Sequence, residues 1–278
     1  MSKGIMLTSR SGLPIRFKTS APADQYATTS GVDGGAATAG DQGAMGINVL
    51  LHGDGGQSFF DFPNQAVQNN LMGVVALAPD PNLFWGGGSG LDRTDGVAHA
   101  QAVNDLVQQV LPQVLAFNQS QVFFTGVSGG SLLLSGFFVP AQMTNFAGTG
   151  VLLNCGGLAP QVDFVDADNV VSTTPIHFQS TQAELESLQG SIPDAITAYQ
   201  QLATDAGLSN TQIGALQTFN NDPNGGHCEF DGKDFVSGVQ LMADSFSNVI
   251  QAGGNGEVDG IGNVLQSVVG QQIKFKSG

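Results

Sequence analysis

The chain is 278 residues long and carries 23 acidic against 8 basic side chains, for a formal charge of -15. That balance cannot neutralise a phosphate backbone or hold an anionic membrane surface, so neither nucleic acid nor membrane is expected as a partner. With 41 % hydrophobic residues and no apolar run near the roughly 18 residues of a membrane helix, the expectation is a globular protein with a sizeable core.

The first elements are two strands, residues 4–8 and 13–18, around the turn Ser9-Arg10-Ser11-Gly12. Residues 20–46, rich in Ala, Gly, Thr and Ser, read as a surface excursion. The apolar run Ile47–Leu51 is a buried strand ending at His52-Gly53-Asp54-Gly55-Gly56, and Gly73–Ala78 is a second, stopped by Pro79. A short helix is expected over 61–71.

After the glycine-rich stretch Trp85-Gly86-Gly87-Gly88-Ser89-Gly90, apolar residues recur at three/four spacing from Val97 to Leu115. They predict a long helix, kinked near its end by Pro112. The strand Gln121–Thr125 runs directly into Gly126-Val127-Ser128-Gly129-Gly130 and an apolar helix that ends before Pro140. Two more strands are expected at Gly150–Asn154 and Pro175–Gln179. Ser209 with Gln212 forms a capping box for a helix through about Phe219, and a last helix covers roughly 233–250. Helices between 190 and 220 can form a small cover. Strands alternating with helices imply crossover units and a mainly parallel sheet with helices on both faces, in one domain over 1–278.

Gly126-Val127-Ser128-Gly129-Gly130 matches G-x-S-x-G. In so glycine-rich a chain, random placement yields about 0.4 matches, so the pattern alone is weak. Its position between a strand and a helix gives it weight. There, glycines permit a sharp turn that lifts the Ser128 hydroxyl above the sheet as a nucleophile. A tetrahedral oxyanion needs two backbone donors. Asp54 and Gly129 are the candidates, with Gly55 as substitute for Asp54.

Four histidines compete for the role of base. His52 belongs to the oxyanion loop, His99 to the long helix and His177 to a strand, all structural readings. His227 lies in the late loop Asn224-Gly225-Gly226-His227-Cys228, and loops at the carboxyl edge of such a sheet converge on the serine. The acid should follow the Pro175–Ser180 strand and precede His227. Glu184 is the first choice, Glu186 the alternative, and Asp163 and Asp166 are reserves. Phe84 and Trp85 are expected to line a substrate pocket.

These pieces, Leu51–Gly56, Gly126–Gly130 and Gly225–Cys228, resemble the polyhydroxybutyrate-depolymerase and feruloyl-esterase-like serine esterases of the α/β-hydrolase fold. The resemblance covers about residues 47–250. It leaves 1–46 as N-terminal strands plus the glycine-rich excursion, and 251–278 as a tail without counterpart. The family commonly uses Asp where this chain offers Glu184. It implies hydrolysis of carboxylic esters, feruloyl or acetyl groups on plant polymers or short-chain esters. The alternatives are a polyester depolymerase or a non-hydrolytic binding member of the fold.

Cys155 and Cys228 both fall at the expected carboxyl edge, so a disulfide is geometrically possible, with two free thiols as the alternative. Some related esterases place a cystine beside the catalytic histidine. No metal site is expected from two cysteines and scattered histidines, and no nucleotide fingerprint opens a helix, so no cofactor is expected. No secretory leader is read after Met1. Even so, the scarcity of Lys, the two Cys and the sequon Asn118-Gln119-Ser120 suit a secreted protein, with a cytoplasmic one as the alternative.

Overall fold

The computed structural model describes residues 2–8, 12–61, 67–146 and 148–276. The turn expected at 9–12 therefore lies largely outside the described residues. Chain order begins with β1 (Ser2–Thr8), β2 (Pro14–Ser20), β3 (Gly46–Leu51), α1 (Gln57–Asp61) and β4 (Leu71–Leu77). Next come α2 (Gly96–Asp105), β5 (Val122–Val127), α3 (Gly129–Leu133), α4 (Val139–Gln142) and β6 (Val151–Asn154). The chain continues through α5 (Ala167–Thr173), β7 (Ile176–Gln179), α6 (Glu186–Asp205), α7 (Asn210–Leu216) and β8 (Gln217–Asn220). It closes with α8 (Phe235–Ile250), β9 (Glu257–Val258), β10 (Gly262–Asn263) and β11 (Gln266–Ser267).

Nine strands form one sheet in the order β1-β2-β4-β3-β5-β6-β7-β8-β11. From β4 to β8 neighbours run parallel, while β1, β2 and β11 are antiparallel additions at the two edges. The central strands are buried on both faces, which is why β3, β4 and β5 are near-continuous apolar runs. Strand β2 alternates instead. The two-residue period of β5 and β6 divides the interior. Phe124, Val151 and Leu153 join the larger core, whereas Phe123 and Leu152 pack on the other face with Val239, Met242 and Phe246 of α8.

Several expectations are corrected. The helix expected over 61–71 falls largely on 62–66, outside the described residues; of the rest, Asp61 belongs to α1 and residues 67–70 are not helical. Asn69 and Asn70 then adopt φ of 47° and 62°, a left-handed turn into β4. The helix begun by Ser209 carries the expected capping box but stops at Leu216. Residues 217–220 extend to pair with β7, so backbone pairing at the sheet edge overrides the helical reading. The long helix is α-helical to Asp105, passes through a π turn over Leu106–Val110 and tightens to a 3-10 turn at Leu111–Gln113, where Pro112 sits.

The 20–46 excursion is packed rather than merely superficial. Tyr26 is fully buried, and the Ala27 and Ala116 amides bond to Val114 and Gln25. The tail from 251 also has structure: β11 pairs with β8 and extends the sheet edge. Helix α6 had no definite place in the sequence reading. Its buried Leu188, Ile192, Ala195, Tyr199 and Ala203 mark a helical face, interrupted by Pro193.

Candidate active site

Strand β5 ends at Val127, and Ser128 turns the chain into α3 with φ 50° and ψ -112°. This backbone is strained for a residue with a side chain and is held by its neighbours. A Cβ on Gly126 would lie 2.6 Å from Ser131 Cα, and one on Gly130 would lie 2.2 Å from the Leu51 carbonyl oxygen. Only glycine fits at either position, so the two flanking glycines of the motif have a packing cause. The Ser128 amide bonds to the Asn154 carbonyl at 2.9 Å, and the Ser131 hydroxyl to the same oxygen at 2.8 Å, locking the turn to β6.

Ser128 Oγ lies 2.9 Å from His227 Nε2, and His227 Nδ1 is hydrogen-bonded to Glu184 Oε1. With the carboxylate as acceptor, Nδ1 carries the proton and Nε2 presents its lone pair to the serine hydroxyl. Glu184 is 3 % exposed, and its Oε1 also accepts the Leu185 amide at 2.8 Å. Glu186, Asp163 and Asp166 are all exposed. Of the four carboxylates considered, Glu184 is the one brought to the imidazole.

Two loops carry Glu184 and His227, and residues with no assigned role join them. The Thr181 hydroxyl donates to the Gly226 carbonyl at 2.9 Å and the Gln182 amide to Pro223 at 2.8 Å. Glu229 curls the histidine loop by accepting the Gly226 amide at 2.8 Å. Cys155 and Cys228 form a disulfide, with Cα atoms 5.2 Å apart, that ties the residue after His227 to the end of β6.

The remaining histidines are structural. His52 is fully buried; Nδ1 donates to the Gly53 carbonyl and Nε2 accepts the Ala78 amide at 2.9 Å, so it fixes the loop after β3. Burial pushes its pKa down to about 4. Nδ1 of His99 accepts the Gly86 amide at 2.8 Å, and burial lowers its pKa as well. His177 is satisfied by Thr218 and Gln179, and burial takes its pKa to about 4.

In the loop after β3, the Gly55 amide is occupied by the Leu83 carbonyl at 3.2 Å, which removes the substitute donor. The Asp54 amide has no acceptor among the described residues. Gly129 is the first residue of α3, where an amide lacks an intrahelical acceptor. A Cβ on Gly53 would lie 3.4 Å from both Ser128 Cβ and the Phe235 ring, so this loop, the serine and the start of α8 share one small space.

Trp85 is corrected as a pocket residue: it is 0 % exposed, its ring lying between His52 and His99 at centroid distances of 5.4 and 6.1 Å. Phe84 remains half-buried. Phe235, half-buried with its ring centroid 5.9 Å from that of His227, is a site residue the sequence reading missed. Its signal was its place beside the Asp234 cap of the last helix, eight positions after the histidine.

No protein-family model and no curated protein matches this sequence. Solved structures do. An arylesterase superimposes with a TM-score of 0.54 at 7 % identity, covering 90 % of this chain and 85 % of its own. A thermostable carboxyl esterase from Bacillus coagulans gives 0.51 at 12 % identity, covering 90 % and 99 %. Another thermostable esterase gives 0.50 at 13 % identity over 73 % of this chain, which spans only 52 % of that protein's length. Identities this low speak to architecture, and the strand order with its parallel centre agrees with it. This chain has the α/β-hydrolase fold.

Proposed function

We propose that the protein is a serine hydrolase of carboxylic esters working through an acyl-enzyme. The observation that carries this reading is the hydrogen-bonded line Ser128–His227–Glu184, with the serine on a strained strand-to-helix turn. Ser128 Oγ attacks the ester carbonyl as its proton passes to His227 Nε2. The carbonyl oxygen takes the negative charge between the Asp54 and Gly129 amides. The tetrahedral adduct then collapses, and the alcohol leaves with the proton from His227. Water repeats the cycle on the acyl-serine and releases the acid. Throughout, Glu184 accepts the Nδ1 proton's hydrogen bond and offsets the imidazolium charge.

Phe235 offers an apolar wall for an acyl or alcohol group, and Phe84 is proposed as a second. The formal charge of -15 favours a neutral ester over an anionic one. Feruloyl or acetyl esters on plant polymers and short-chain esters are the substrates proposed, with aliphatic polyesters as the alternative. The Cys155–Cys228 disulfide supports work in an oxidising, extracellular compartment. The deciding experiment is labelling with a fluorophosphonate probe beside a panel of p-nitrophenyl esters, methyl ferulate, acetylated xylan and a polyester film. Wild type should be labelled and should hydrolyse at least one class, with both signals lost in Ser128→Ala. Activity surviving in Ser128→Ala overturns the assignment.

A further inference from the structure

Neither the glycine-rich loop after β4 nor the cation it delivers has a part in the line of Ser128, His227 and Glu184. Gly86, Gly87 and Gly88 all adopt positive φ, of 83°, 64° and 65°. A side chain at any of the three is strained, and at Gly88 it is also excluded by backbone, since a Cβ there would meet the Asp92 carbonyl at 2.1 Å. Reciprocal amide–carbonyl bonds between Ser89 and Asp92 and the Asp95 amide on the Gly86 carbonyl close it. From this tight fold Arg93 points inward and is 5 % exposed.

The Arg93 guanidinium grips the Asp54 carboxylate at both oxygens, Nη1 to Oδ1 at 2.8 Å and Nη2 to Oδ2 at 2.7 Å. Nη1 also donates to the Trp85 carbonyl at 3.2 Å, which anchors the cation to its own loop. The same carboxylate lies against Gly129, where a Cβ would fall 2.0 Å from Oδ1, the oxygen that accepts Nη1. Both residues proposed to bind the oxyanion therefore meet at one carboxylate, a charge of the sign that develops on the substrate oxygen.

We propose that Arg93 is the positioning residue of the oxyanion site: it neutralises the Asp54 carboxylate beside Gly129 and holds the Asp54 loop so that both amides face the carbonyl oxygen. The assignment rests on the ester-hydrolase reading. Bidentate geometry is the reason for arginine, since a lysine is a point charge that pairs with one oxygen and leaves the loop free to turn. Donor placement is what such a site contributes, and displacement by about 1 Å can cost on the order of 10²-fold.

The test is steady-state kinetics on the full chain at 25 °C, with thermal melts in parallel. Arg93→Met should lower kcat by roughly 10- to 100-fold while KM stays within about threefold, and fluorophosphonate labelling should slow in proportion. Arg93→Met with Asp54→Asn removes the stranded charge and should recover about tenfold of that loss, which a purely structural role would not do. Arg93→Lys should fall between wild type and Arg93→Met, and it decides the matter if Arg93→Met does not fold. Wild-type kcat in Arg93→Lys, or a double variant no faster than Arg93→Met, overturns the assignment. A wild type that neither hydrolyses esters nor takes the probe overturns the ester-hydrolase reading, and this assignment falls with it.

Discussion

Cys155 and Cys228 stand 73 positions apart in sequence and 5.2 Å apart at their Cα atoms, bonded across the gap between β6 and the histidine loop. Both have positive φ, 44° and 61°, in loops that leave the sheet on the same side as Ser128. A loop of that span closed by a bond restricts the unfolded chain, and such bonds contribute typically about 2–4 kcal/mol. Replacing both cysteines by serine should lower the unfolding free energy from urea titrations by an amount in that range. Because Cys228 adjoins His227, kcat should drop several-fold at temperatures where the variant is still folded. An unchanged kcat would show that Thr181 and Glu229 suffice to hold the loop.

Ser128 pairs the proposed nucleophilic hydroxyl with an unfavourable backbone. Ser128→Ala should melt within a degree or two of wild type and lose at least roughly 10³-fold in kcat. Ser128→Gly should be equally inactive but more stable, by about 1 kcal/mol, because glycine adopts φ near 50° without strain. Calorimetry on the pair separates the two effects. Equal stabilities would argue against backbone strain at this turn.

Glu184 and Glu186 are two residues apart, yet one is buried on His227 and the other exposed at the start of α6. Glu184→Gln keeps the shape but offers an amide that no longer favours the required imidazole tautomer. Its kcat should fall by about 10²–10⁴. Glu186→Gln should stay within a few-fold of wild type. Comparing kcat for the two tests the acid assignment directly.

Burial lowers the folded-state pKa of His52 and of His177 from 6.5 to about 4. Above pH 6.5 both rings are neutral in folded and unfolded chains, and their contribution to stability is fully present. As pH falls from 6.5 towards 4 the unfolded chain binds protons that the folded one refuses, so stability declines. The slope is on the order of 1 kcal/mol per pH unit for each ring. Urea titrations across this window should show the decline, and His177→Gln should make it shallower. A flat stability between pH 6.5 and 4 would contradict neutral, buried imidazoles.

Much of the molecule could be read from local patterns. The continuous apolar runs of β3, β4 and β5 announced strands buried on both faces, because only a sheet covered by helices twice has use for them. The glycines around Ser128 announced the turn, since its close approaches to Ser131 and Leu51 tolerate nothing larger. Chain order put His227 and the pair Glu184 and Glu186 on the same sheet edge and left open which carboxylate meets the imidazole, a choice that the burial of Glu184 against His227 decides. Tertiary structure decided the rest. Strand β8 continues from a well-capped helix and is extended only because β7 offers it hydrogen-bond partners. Trp85 looked like a pocket wall but is enclosed by His52 and His99, two residues 47 positions apart in the chain. Arg93 gave no local sign of its role, because a guanidinium acquires meaning only from the carboxylate it meets. That carboxylate, Asp54, is 39 residues away and comes within reach only when the loop after β4 folds over the loop after β3.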